Sequence, residues 1–271
     1  VTKAMKQKTL SVNLRIQKFI FEFCSIYRNL NIYFVGDKYM YIKNKYVSLF
    51  YKIIIVIVGM YGLYKSCFFS EKVDLLEHFS YYTNISNLVC IIYFIIYIIK
   101  MLVNFNKKVV YNNTLKGTIT MAIMITMLVF NFILRPFMTD MDGVMELNSL
   151  PNYIVHVIEP LLVILDYILF DEKGIFKKID PLKWVIFPFI YWVFICIRAF
   201  FASPFTYTSS KYPYFFIDID MFGIYQVIFN VFLMICAIII LGYMFLFFDR
   251  FLLKLSKKHA WYRKEVKYEK N

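Results

Sequence analysis

The sequence predicts an all-α, polytopic membrane protein, built as a bundle of six transmembrane helices with both termini in the cytoplasm. Hydrophobic residues make up 61% of the chain and aromatic residues 21%, and the mean hydropathy of +0.60 exceeds that of ordinary soluble domains. Six apolar runs are each long enough to cross a bilayer core, which takes about 20 helical residues. Lysine and arginine lie in alternate links between these runs, as in the cytoplasmic loops of membrane proteins.

The predicted spans cover about residues 47–64, 80–104, 118–137, 152–170, 182–201 and 221–248. Basic segments precede the first span and follow the second, fourth and sixth, whereas the other three links are acidic or mixed. The positive-inside rule is then satisfied at every loop if both termini are cytoplasmic. The chain thus divides into a basic cytoplasmic arm (1–46), a six-helix transmembrane domain (47–250) and a basic cytoplasmic tail (251–271).

The net charge of +13 does not indicate a nucleic-acid partner, because the basic residues are grouped in blocks between apolar runs. The five cysteines are odd in number and widely spaced, so neither a disulfide framework nor a metal-ligand pair is predicted. We expect no metal or organic cofactor. The basic arm has two interpretations: an interfacial amphipathic helix, or a disordered or non-native extension.

The second predicted span begins with a polar stripe. Ser80, Thr83, Asn84 and Asn87 are spaced i, i+3, i+4 and i+7, so they share one face of the helix. Amides and hydroxyls are costly in lipid unless they face the protein interior or a wet cavity. We therefore expect this stripe to point into the bundle near the outer membrane face.

The fourth predicted span carries a second stripe, which begins at the same depth. Asn152, His156, Glu159 and Asp166 follow one another at intervals of four, three and seven residues. The inner halves of the spans are nearly continuous Ile, Leu, Phe and Val, so the sequence predicts a polar pocket in the outer leaflet, open outward or sideways into lipid. Spans three, five and six add further polar residues to this layer: Asn131, Arg135, Arg198, Gln226 and Asn230.

Thr83 and His156 form a candidate nucleophile and base. A threonine hydroxyl is a weak nucleophile at neutral pH and needs a neutral imidazole within hydrogen-bond reach to take its proton. Each residue also has a structural interpretation, since Thr83 can bond a backbone carbonyl one turn back and His156 can be an interior hydrogen-bonding group. The predicted substrate and oxyanion support comprises Asn84, Asn87, Arg135, Asn152 and Glu159.

Four segments resemble the androgen-induced-gene family of six-span membrane proteins, and especially its bacterial members: YYTNISN, NYIVHVIEPLLVILDYILF, WVIFPFIYW and KYPYFFIDID. The resemblance covers roughly residues 45–255. It implies an intramembrane hydrolase of fatty-acid esters of hydroxy fatty acids, with Thr83 as nucleophile and His156 as base, and a bacterial plasma membrane location. Tyr212, Tyr214 and Asp218 of the last segment are expected over the pocket mouth.

The sequence therefore favours an intramembrane hydrolase of lipid-like acyl esters, whose partner is a membrane lipid or a similar ester. A related branch of the family uses a cysteine nucleophile, but here Cys90 lies two turns deeper than Thr83. The alternative is a non-catalytic multi-span protein that binds or transports a lipid or small molecule in the same polar layer. Nothing in the sequence specifies an oligomeric state.

Overall fold

The computed structural model describes residues 41–68, 74–105, 111–138, 149–206 and 209–268. Residues 1–40, most of the predicted arm, lie outside the described residues. The described part is helical and contains no strand. It has six helices long and apolar enough to span a membrane, which confirms the predicted fold class: Lys45–Cys67, Tyr82–Val103, Asn113–Leu134, Leu150–Phe170, Asp180–Phe201 and Ile224–Lys257. We call these spans one to six.

Two of the spans are interrupted by π-helical turns, and short helices lie in the links. In chain order the helices are Lys45–Phe68, Leu75–His78, Tyr82–Val103, Asn113–Val129, the π-helical Phe130–Leu134, Arg135–Met138, Leu150–Tyr153, the π-helical Ile154–Ile158, Glu159–Phe170, Asp180–Trp184, Ile186–Phe201, the 3₁₀ turn Phe215–Ile217, Ile219–Phe222 and Ile224–Tyr268.

Two boundaries differ from the sequence expectation. Span three begins at Asn113, five residues before the predicted start, because the Asn112 side chain accepts a hydrogen bond from the Leu115 N–H and caps the helix there. Lys116 therefore lies inside the span. The last helix continues through most of the predicted tail, as far as Tyr268.

Spans one to four pack around a common core, with span one against spans two and four and span three against spans two, four and five. Close approach of spans one and four depends on small residues. A Cβ atom at Gly59 would lie 2.5 Å from a carboxyl oxygen of Glu159, and one at Gly62 would meet Ile154. The chain thus brings span four, which carries His156, tightly against span one.

A buried charge cluster occupies the end of the bundle opposite Thr83. The Lys52 ammonium donates to one oxygen of Asp166 at 2.7 Å, and the Lys116 ammonium donates to the other. The rings of Tyr97 and Phe170 each lie 4.8 Å from the Lys52 nitrogen. Lys52 and Asp166 were the charged residues expected in the otherwise apolar inner halves; Lys116, expected outside the span, joins them, so spans one, three and four each place a charge in the interior.

Candidate functional site

The two polar stripes predicted from the sequence meet in the structure. The Thr83 hydroxyl oxygen lies 3.0 Å from Nε2 of His156, and each residue is only 8% exposed. Nδ1 of the same ring lies 3.0 Å from the Asn152 carbonyl oxygen. A carbonyl can only accept, so Nδ1 carries the proton in the neutral ring and the Nε2 lone pair faces Thr83. The Phe130 ring stacks on the imidazole at a centroid distance of 3.6 Å and limits its rotation.

His156 lies in a π-helical turn whose cause is visible in the sequence. The Glu159 N–H reaches back five residues to the Ile154 carbonyl, and Pro160 has no N–H to donate. The carbonyls of Val155 and His156, which lie five and four residues before the proline, therefore receive no backbone bond from that position. Two buried carbonyls in an apolar bundle need other donors.

Asparagine side chains from the two neighbouring spans supply those donors. The Asn87 amide nitrogen of span two lies 3.2 Å from the Val155 carbonyl oxygen. The Asn131 amide nitrogen of span three lies 3.5 Å from the His156 carbonyl oxygen. Asn87 was predicted to support an oxyanion, whereas the structure shows it bonding the helix that presents His156. Asn131 belonged to the predicted polar layer but not to the predicted site.

The π-helical turn of span three follows the same pattern. Phe130–Leu134 ends at Arg135 and Pro136, just as the turn in span four ends at Glu159 and Pro160. This turn presents Phe130 and Asn131, both of which contact His156. In both turns a charged residue followed by proline comes one turn after a polar residue, and this pattern is the sequence signal for them. Such turns are frequent at functional sites.

Tyr214, from the link between spans five and six (residues 202–223), reaches the first turn of span two. Its hydroxyl accepts the Tyr82 N–H at 3.0 Å. The Tyr191 hydroxyl donates to the Ser80 carbonyl at 2.9 Å. Burial raises the pKa of Tyr214 to about 12, so its phenol stays protonated at neutral pH.

Further contacts fix this link over the start of span two. The Glu77 carboxylate accepts both the N–H and the hydroxyl of Thr206, at 2.9 and 2.7 Å. Asp218, predicted at the pocket mouth, instead accepts the Ser210 hydroxyl at 2.6 Å and the Met221 N–H at 2.9 Å. Tyr212 is buried but does not line the cavity. Of the three predicted mouth residues, the cavity lining includes Tyr214.

A cavity of about 90 Å³ lies beside Thr83, between spans two and three on one side and five and six on the other. Its walls are mainly apolar and include Val129, Phe189 and Ile235. Two hydrogen-bond donors in the lining, the Tyr82 hydroxyl and the Trp192 indole N–H, are buried without a partner among the described residues. The cavity can therefore receive an apolar chain that carries oxygen acceptors.

The other predicted site residues point elsewhere. The Asn84 amide donates to the His78 carbonyl at 2.8 Å, and the Arg135 guanidinium donates to the Tyr153 hydroxyl at 3.2 Å. The Glu159 carboxyl packs against span one and has no hydrogen-bond partner within the described ranges. The structure does not bring the side chains of these residues to the Thr83 hydroxyl.

No protein-family profile, characterised protein or solved structure matches the chain. Among the described residues, no three His, Cys, Asp or Glu side chains are grouped so that they could hold a metal ion. The geometry of the site is therefore the basis for assigning a function.

Proposed function

We propose that this protein is an intramembrane hydrolase of lipid-like acyl esters, with Thr83 as nucleophile and His156 as general base. The observation that carries the proposal is the 3.0 Å contact between the Thr83 hydroxyl and Nε2 of His156, in a ring whose Nδ1–H is held by the Asn152 carbonyl. A nucleophile, a base and a group that orients the base are the parts required for nucleophilic catalysis.

The reaction follows from this arrangement. The Thr83 oxygen attacks the ester carbonyl carbon while its proton moves to Nε2 of His156, and the carbonyl electrons move onto oxygen. Collapse of the tetrahedral intermediate breaks the bond to the alcohol oxygen, which takes the proton from His156 and leaves. A water molecule then attacks the acyl-threonine with His156 as base, which releases the fatty acid and restores the hydroxyl.

The cavity supports an ester with an apolar acyl group. Apolar walls beside the nucleophile accept an acyl chain, and the unpartnered donors of Tyr82 and Trp192 suit ester oxygens rather than a plain hydrocarbon. Phe189 lines the cavity and is also 45% exposed, so the cavity comes close to the lipid-facing surface of span five. Entry from the bilayer fits such a substrate. The resemblance to bacterial proteins supports placing the chain in a bacterial plasma membrane.

The test is hydrolysis of fluorogenic long-chain acyl esters by the purified protein in detergent. Thr83→Ala and His156→Gln are each expected to lower kcat by a factor of about 10² or more, with little change in the thermal midpoint. Thr120→Val is the matched control, because Thr120 is also a buried threonine but lies off the cavity. Wild-type turnover in a folded Thr83→Ala protein would overturn the proposal.

The rival function is non-catalytic lipid binding in the same cavity, which its apolar walls also suit. Thr83→Val keeps the side-chain shape and removes the hydroxyl. If the wild type binds a fluorescent fatty ester without turnover, and Thr83→Val binds it equally well, the protein is a lipid-binding protein and the hydrolase proposal fails.

A further inference from the structure

We propose that the cavity beside Thr83 is entered sideways from the bilayer, through a slot between spans five and six, by the acyl chain of an ester dissolved in the membrane. The slot is lined by Phe189 of span five and by Val231, Met234 and Ile235 of span six. The inference rests on the proposed function for the identity of the ester, whereas the route itself would also serve a lipid-binding protein.

Spans five and six pack tightly at the end of the bundle opposite Thr83. A Cβ atom at Gly242 of span six would lie 3.0 Å from Cβ of Pro181, and the ring centroids of Trp184 and Phe245 are 5.7 Å apart. Such a close approach of two backbones depends on a small residue. This packing closes the gap between the two spans at that level.

The tight packing ends at a break in span five. The helix is interrupted at Val185, between Asp180–Trp184 and Ile186–Phe201, because Pro188 has no N–H to donate to the Trp184 carbonyl. From Pro188 outward, span five lines the cavity together with residues of span six. The proline therefore marks the level at which the cavity begins to separate the two spans.

The link between spans five and six covers the outer end of the cavity. Tyr214, Phe216 and Ile217 of this link line it. The Tyr214 hydroxyl accepts the Tyr82 N–H of span two at 3.0 Å, and the Phe216 carbonyl accepts from the Asn230 amide of span six at 2.9 Å. The link is thus hydrogen bonded on both sides of the cavity and lies between it and the water at that end.

The slot, in contrast, faces the lipid. Phe189 lines the cavity and is also 45% exposed, and the three slot residues of span six are half-buried. A chain that enters here keeps its CH₂ groups in apolar surroundings, whereas passage through water would expose them. The Phe189 ring lies 5.8 Å from the ring of Trp192, and its rotation away from span six widens the slot.

Two donors inside the cavity indicate which kind of chain enters. The Trp192 indole N–H and the Tyr82 hydroxyl line the cavity and are buried without a partner among the described residues. A plain hydrocarbon leaves both donors unpaired, whereas the carbonyl oxygen of an ester can accept a hydrogen bond from one of them. The entrant is therefore an acyl ester, with its carbonyl inside the cavity.

The test uses a long-chain methyl ketone with a diazirine close to the carbonyl, because a ketone keeps the carbonyl oxygen and cannot be hydrolysed. The full-length protein in phosphatidylcholine vesicles is incubated with this probe for increasing times, irradiated and mapped by mass spectrometry. We expect adducts on the cavity walls, formed at least about tenfold more slowly in Ile235→Trp, which fills the slot. Leu233→Trp is the matched control, since Leu233 is exposed on the same span and does not line the cavity.

Glu77→Ala distinguishes this route from entry through water, because it removes the carboxylate that holds Thr206 of the link. The labelling rate should not change. Faster labelling in Glu77→Ala, together with an unaltered rate in Ile235→Trp, would show that the chain enters from the water and would overturn the inference. Adducts confined to lipid-facing residues outside the cavity would overturn it as well.

A second variant covers the case in which Ile235→Trp does not fold. Phe189→Ala widens the slot and should speed labelling of the cavity walls, and an unchanged rate would contradict the inference. The probe labels the protein without turnover, so the hydrolase proposal is judged separately by Thr83→Ala. A protein that admits the ketone through the slot but hydrolyses no ester would keep this inference and lose the proposed function.

Discussion

Asn87→Ala removes the side chain that supports the π-helical turn of span four. The Asn87 amide donates to the Thr83 carbonyl at 2.7 Å and to the Val155 carbonyl at 3.2 Å, and the residue is fully buried. The Thr83 carbonyl keeps a second donor, the Ser86 hydroxyl at 2.9 Å. The main loss is therefore at Val155, whose carbonyl has no backbone donor from Pro160. One unpaired buried carbonyl lowers the free energy of unfolding by about 1–2 kcal/mol.

The same change should slow catalysis, because the turn that loses its support carries His156. A displacement of the imidazole by about 1 Å is enough to lower a rate about 10²-fold. We expect kcat for ester hydrolysis to fall by a factor of about 10 to 10², with KM less affected, since Asn87 does not line the cavity.

Pro160→Ala should rescue the Asn87→Ala variant, because an alanine at position 160 has a backbone N–H that can donate to the Val155 carbonyl. In the double variant the free energy of unfolding should exceed the additive value by about 1 kcal/mol. The assay is reversible unfolding in mixed micelles for the four members of the cycle, with ester hydrolysis measured on each. Asn104→Ala, at the partly exposed asparagine that follows the last residue of span two, is the control. Additive single changes within about 0.5 kcal/mol would refute the reasoning.

Three further predictions follow from other parts of the structure. Asp166→Asn leaves two buried ammonium groups without their shared carboxylate and should lower the free energy of unfolding by about 3–5 kcal/mol. Lys116→Met leaves the Lys52–Asp166 pair intact and should lower it less. Equal losses in an unfolding assay would contradict this. Burial lowers the pKa of His78 to about 4, below the unfolded value of about 6.5, so thermal stability should fall as the pH drops from about 6.5 to 4, and His78→Gln should flatten that part of the pH profile. Ile238→Trp, at a buried position in the cavity wall, should lower turnover of long-chain esters more than of short-chain esters, and equal effects would argue against an acyl site there.

The sequence predicted the six spans because apolar runs and charge asymmetry are local properties. The two polar stripes predicted the depth and the face of Thr83 and His156, and these residues do meet. Periodicity within a helix says nothing about which helix is its neighbour. Lys116 was therefore predicted to lie in the loop before span three. Its partner, Asp166, lies 50 residues further along the chain, so the sequence around Lys116 gave no sign of the ion pair.

The support around His156 was harder to predict for a related reason. Pro160 can be read as a kink until the donors that compensate for it are known, and those donors come from spans two and three. Tyr214 reaches the backbone of Tyr82 only because the link between spans five and six folds back over span two, through contacts such as that of Glu77 with Thr206. Both features depend on tertiary packing.

The central claim is that His156 activates the Thr83 hydroxyl as a nucleophile. The most direct measurement is mass spectrometry of the purified protein after reaction with a lipophilic fluorophosphonate, with the adduct located by peptide mapping. We predict a single adduct on Thr83, absent in Thr83→Ala and formed at least about 10²-fold more slowly in His156→Gln. A folded wild-type protein that carries the adduct on another residue, or forms none while it hydrolyses acyl esters, would contradict the claim.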